Sequence, residues 1–278
     1  MGETLRLFWG TILLRPYVFA FLAVYLLAGW RHIGWKKTLV FIPLGYWLAW
    51  LSEFCSIHWG FPYGDYFYIQ STAGRELWVF GVPFMDSLSY VFLSYCSYSL
   101  ALFLIGRVSL RSGNLLVLET PQIRSSPRTL ILGAFLFVLL DIVIDPVALQ
   151  GERWFLGRIY GYRHEGLYFG IPMSNFGGWL LVGIVLILAL QVLERVFSPD
   201  SAPDRAANRL SWMRLLGPAL YFAVLLFNIA ITFSIGMMLL GLIDLALFAS
   251  LLAPVFVLTF NKISRVSPRK AQAYVSPP

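Results

Sequence analysis

The sequence predicts an all-α fold: a polytopic membrane helix bundle of about seven transmembrane helices, with two motif-rich segments that do not span. Three observations predict it. Hydrophobic residues make up 59% of the 278 and charged residues only 13%, roughly half the charge of a soluble domain, and the mean hydropathy is +0.73. The apolar residues fall into runs of membrane-spanning length. Lys and Arg lie between those runs, so the net charge of +7 reads as topology and not as a nucleic-acid surface. No polar stretch is long enough for a separate soluble domain. Residues 1–260 are therefore expected to form a single integral membrane domain, with 261–278 as a basic, disordered cytoplasmic tail.

The first run, Leu13 to Trp30, is long for a signal sequence and has no small-residue cleavage pattern after it, so it reads as a helix. Arg31, Lys36 and Lys37 follow, and Thr38 to Phe54 makes a second helix with Glu53 at its end. Residues 58–86 are too polar and too rich in Gly and Pro to span. A third helix runs from Phe84 to Ile105 with Asp86 in its first turn. The basic segment Arg107 to Arg128 reads as a surface loop. The fourth helix starts near Leu130 and ends in Asp141 and Asp145, where Pro146 bends or ends it. A second irregular segment follows, and then the fifth helix, Gly177 to Leu193. A charged linker, Glu194 to Arg214, contains SPDSAPD. The last two helices are Leu215 to Phe233 and Met237 to Phe260. Cys55 and Cys96 form no CxxC and read as packing residues.

The positive-inside rule gives an orientation. Loops after helices one, three and five, and the tail, are rich in Lys and Arg; segment 57–80 is not. The C-terminus is expected in the cytoplasm and the N-terminus outside, in a multi-pass cell (inner) membrane protein. Glu53, Asp65, Asp86, Asp141, Asp145 and segment 146–176 then share the outer side. Acids in membrane helices mark function by default.

Asp141 and Asp145 are four apart, so on a helix they share a face with Cβ atoms about 6 Å from each other. They read as catalytic acids, as magnesium ligands, or as structural partners of Arg158 or Arg163. Glu53 is either a site acid or a buried hydrogen-bond partner. Asp65 sits in a Gly-flanked turn, Asp86 where an acid favours a helix N-terminus, and Asn175 where an N-cap belongs. Asn228 and Asp244 suit hydrogen bonds between helices. Only three His are present, too few for membrane di-iron chemistry. No GxSxG, HExxH or P-loop occurs, which removes the common nucleophilic, zinc-protease and nucleotide readings. A carboxyl at low dielectric keeps its proton and can protonate an alkene, and aromatic faces can stabilise the cation.

The pieces EFCSIHWGFPYGDYFY, GVPFMDSLSYVF, DIVIDPVA and EGLYFGIPMSNFGGW resemble the membrane carotenoid hydratases, the bisanhydrobacterioruberin hydratase and γ-carotene 1′-hydratase type. The matching pattern is Glu53 before Gly60, Pro62, Gly64, Tyr66 and Tyr68; Gly81-Val82-Pro83; Asp141-x-x-x-Asp145-Pro146; and Tyr168, Gly170, Pro172, Asn175, Gly178 and Trp179. It covers roughly residues 45 to 182. The resemblance implies a lyase that adds water across the terminal C1–C2 double bond of an acyclic carotenoid end group, giving a tertiary alcohol. It implies a long polyene substrate drawn from membrane lipid and no redox change, and with so few His no cofactor or metal is expected. Asp141, Asp145 and Glu53 are the expected catalytic acids. Asp141, deeper in the apolar run, is the expected proton donor, with Asp145 orienting water. Trp59, Tyr66, Tyr68, Trp154, Tyr168, Asn175 and Trp179 are expected to bind substrate. A magnesium-dependent prenyltransferase using the Asp141/Asp145 pair is the alternative, though it lacks a second Asp-rich motif. A receptor or transporter would explain the helices but not two motif-dense segments on one side.

Overall fold

The computed structural model describes residues 2–111, 114–197 and 211–265. The SPDSAPD stretch and the expected disordered tail from residue 266 lie outside them. The helices are α1 (Gly2–Leu14), α2 (Pro16–His32), α3 (Trp35–Trp59), α4 (Phe84–Ile105), α5 (Pro121–Arg124), α6 (Pro127–Leu149), α7 (Met173–Val196), α8 (Leu216–Ser234) and α9 (Met238–Arg265). Short strands are β1 (Tyr66–Tyr68), β2 (Trp78–Val79), β3 (Val82–Pro83), β4 (Arg107–Arg111), β5 (Asn114–Leu118) and β6 (Tyr160–Tyr162). Among the described residues, six helices are long and apolar enough to cross a membrane, and a seventh span results if α1 and α2, bent by 90°, count as one. The polytopic all-α bundle is therefore the observed fold.

The first expected helix is corrected at its start: Leu13 and Leu14 belong to α1, which turns a corner at Arg15. Pro16 supplies the reason. It pre-sets the first turn of α2 and drives the preceding residue out of the helical region, and Arg15 has φ −126° and ψ 50°. Arg15 is only 1% exposed. Its Nε and Nη2 donate to Glu76 at 3.1 and 3.0 Å, and Nη1 donates to the Leu156 carbonyl. A buried charge is tolerated only when paired in this way. The pairing ties the α1–α2 corner to both irregular segments.

α4 is the axis of the bundle. Of its apolar window 83% is buried, against 17% for the peripheral α9. Around it run α2, α3, α7, α6 and α8 in that order, each touching the next, and α8 closes the ring on α2. Successive spanning helices along the chain alternate in direction, so the α3–α4 and α6–α7 connections emerge at the same end. There they pair: β1 and β6 are antiparallel, with Tyr66 opposite Tyr162, Phe67 opposite Gly161 and Tyr68 opposite Tyr160. Strand side chains alternate between faces, so the four tyrosines share one face and Phe67 takes the other. Gly178 lets this end close on α7, since a Cβ there would sit 2.7 Å from the Pro62 carbonyl oxygen.

Three further expectations need correction. The segment Arg107 to Arg128 is not simply a loop: β4 and β5 form a hairpin with Val108 opposite Val117. Its signal is the alternation in RVSLR ahead of Ser-Gly-Asn, a sequence that favours turns. Pro146 does not end its helix, because α6 continues to Leu149. The missing N–H frees the Ile142 carbonyl, and the Tyr168 hydroxyl donates to it at 3.3 Å. α9 also runs past the expected end at Phe260, to Arg265.

Candidate active site

At the end where β1 meets β6, a cavity of ≈130 Å³ opens among α2, α3, α4, α6, α7 and α8. Glu53 of α3, Asp86 of α4, and Asp141 and Asp145 of α6 all line it. No Lys, Arg or His is among its lining residues. The i, i+4 spacing puts both aspartates on the same face of α6, and the four tyrosines of the β1–β6 ribbon cover them.

The two aspartates are hydrogen-bonded unequally. Asp145 accepts from three donors: Tyr160 at Oδ1, and Tyr162 and Asn175 at Oδ2, the last two at 2.7 and 3.0 Å. Asp141 accepts one bond, from Asn175 Nδ2 to Oδ2 at 2.8 Å, and its Oδ1 is buried without a partner. A proton on Asp141 Oδ1 displaces no donor, whereas either oxygen of Asp145 already has at least one donor directed at it. Asn175 is not the N-cap of α7, which is Pro172. It sits inside the first turn and spends its amide on both acids.

Glu53 accepts from Tyr68 at 3.2 Å through Oε1 and from Ser87 through Oε2. Burial pushes the phenols of Tyr66, Tyr68, Tyr160 and Tyr162 well above their ordinary value, and the neighbouring carboxylates push the same way. They stay protonated and act as donors. Trp179 is stacked with Tyr90, ring centroids 4.8 Å apart, and lies 4.7 Å from Phe137. That wall of π faces adjoins the aspartates.

Of the residues expected from sequence, Glu53, Tyr66, Tyr68, Asp141, Asp145, Trp154, Asn175 and Trp179 line the cavity. Trp59 does not; it is 71% exposed at the end of α3, against Phe54 and His58. Tyr168 does not either, because its hydroxyl is used at the Ile142 carbonyl. Asp86, read from sequence as a helix N-terminal acid, faces the cavity. Tyr160 and Tyr162 escaped the sequence reading, although their Y-G-Y mirrors the Y-F-Y of β1. No ion pair joins Asp141 or Asp145 to Arg158 or Arg163 among the described residues. Nor do three or more His, Cys, Asp or Glu gather there into a metal-binding group.

No curated protein and no solved structure matches the chain. A family model described as "carotenoid biosynthesis protein" matches residues 11–255, from the α1–α2 corner through most of α9. The match takes in every helix that forms the cavity, and the chain belongs to the family of carotenoid biosynthesis proteins.

Proposed function

We propose that the protein is a carotenoid hydratase, adding water to the terminal C1–C2 double bond of an acyclic end group. The observation that carries this reading is the unequal pair of acids sharing Asn175 inside an aromatic-walled, cation-free cavity. Asp141 is the proton donor. The π electrons of the double bond take its proton to form a C2–H bond, the O–H pair stays on the Asp141 carboxylate, and a tertiary cation forms at C1. Trp179 and Tyr90 offer π faces to that cation. Asp145, its oxygens already committed as acceptors, orients water toward C1. The water oxygen bonds to C1, and the proton it releases returns to the carboxylate pair. Nothing is oxidised or reduced, and the enzyme ends in its starting protonation state.

The test is to incubate purified protein with an acyclic carotenoid in lipid nanodiscs and weigh the product. A gain of one water supports hydration, and in D2O one non-exchangeable deuterium should appear at C2. A gain of one prenyl unit, lost with EDTA and restored by magnesium, would replace this reading with a prenyltransferase that uses the same aspartates.

A further inference from the structure

We infer that the substrate's polyene chain lies in the seam between α2 and α8, passing over Phe227 into the surrounding lipid, while only its end group enters the cavity. The inference rests on the reading of the substrate as a carotenoid, but not on the reaction being hydration. The first observation is size. A cavity of ≈130 Å³ is close to the ~150 Å³ that holds a single benzene, so it takes an end group and excludes a long chain. The chain must leave between two helices of the ring.

Four of the five seams are closed by specific contacts. The Tyr25 hydroxyl donates to the Thr38 carbonyl at 2.8 Å between α2 and α3. Gly178 lies against Pro62 beside α3 and α7. Asn175 bonds across α6 and α7. The Tyr221 hydroxyl donates to the Leu136 carbonyl at 2.8 Å between α8 and α6, and Arg153 reaches the Ile235 carbonyl at the end of that seam. Among the described residues, no hydrogen bond or ion pair joins α2 to α8.

Rings fill this seam instead. Tyr17 stacks on Phe227 at 5.3 Å, and Phe21 meets Phe227 edge-on at 5.7 Å. Trp154 and Phe155 cover the end nearest the acids, with Phe155 55% exposed. Tyr17, Phe21 and Phe227 are only half-buried, yet they line the cavity. The same rings therefore face both the acid chamber and the bundle surface. Moving them costs packing and breaks no hydrogen bond, and flat rings suit a flat conjugated chain.

The experiment places a photoreactive benzophenone side chain at position 227, at 17, or at 188 on α7. Leu188 is 46% exposed and serves as a lipid-facing control away from the seam. Each protein is loaded with an acyclic carotenoid in nanodiscs, irradiated, and its covalent adduct measured by mass. Adduct at 227 and 17 should exceed that at 188 at least tenfold, and position 17 keeps the test open should the 227 variant not fold. Equal adduct at all three positions, preferential adduct at 188, or none at 227 and 17 in protein that retains bound polyene would overturn the seam. The readout needs no turnover, so failure of hydration shows separately, as polyene recovered without added water.

Discussion

Tyr160 and Tyr162 set the inequality between Asp141 and Asp145, since both donate to Asp145 alone while Asn175 serves the two acids alike. Asp141→Asn keeps an oxygen that can still accept from Asn175, so the variant is expected to fold. It has no acidic proton, and turnover should fall by about 10³-fold, within the 10²–10⁴ range typical of a general acid. Asp145→Asn leaves the donor in place and should lose less, on the order of tenfold. Full activity in Asp141→Asn, assayed by water incorporation, would sink the assignment and make Glu53 the next acid to test. These acids were legible in the sequence because a carboxyl inside an apolar run is costly and stands out. Tyr160 and Tyr162 did not stand out, because tyrosines near a membrane interface are common. Their role depends on a strand pairing that local pattern does not reveal.

Among the elements, the corner between α1 and α2 depends on one side chain. Arg15→Ala would strand Glu76, which is 1% exposed, as an uncompensated buried charge. The expected loss is about 3–5 kcal/mol, measured by thermal unfolding in detergent, with Glu76→Gln close behind. An unchanged melting temperature in both would mean that the corner is held by α1 packing alone. Pro16 is the sequence signal for this break, but the apolar run from Leu13 to Trp30 reads as one helix and hides it.

The opposite end of the bundle has its own ion network. Glu119 lies between His32, 2.8 Å away, and Arg124, 2.9 Å away. Burial pulls its carboxyl up, but His32 and Arg124 outweigh burial and bring it down from 4.5 to about 2. A carboxyl depressed by folding stabilises fully above its ordinary value and loses that contribution as pH falls through its folded value. Thermal stability should therefore decline between about pH 4.5 and pH 2. Glu119→Gln should flatten that part of the profile, and a profile identical to the parent's would contradict it.

At the scale of the whole molecule, the two ends of the bundle differ in charge. Lys37, Arg124, Arg195 and Arg214 gather at the end away from the cavity, and the positive-inside rule predicts that this end faces the cytoplasm. The expected orientation then has the cavity mouth, and the N-terminus with it, on the outer side. In a background with Cys55 and Cys96 replaced by Ser, Arg75→Cys should react with an impermeant thiol reagent in intact cells and Arg128→Cys only after lysis. Labelling of both in intact cells would remove this orientation. The number and order of spans were readable from hydropathy alone, because a bilayer sets run length so strictly. The ring around α4 was not, since which helices touch depends on small-residue contacts that hydropathy does not encode.

The ribbon of β1 and β6 also has a consequence for how the protein is made. Its strands belong to hairpins that reach the bilayer separately, and at about 5–20 residues per second the ribosome delivers Tyr162 on the order of ten seconds after Tyr66. Glu53 and Asp86 wait at the membrane throughout that interval with Tyr68 and Ser87 in the same hairpin but without Tyr160, Tyr162, Asp141 and Asp145. The four-acid cavity exists only once the second hairpin has docked.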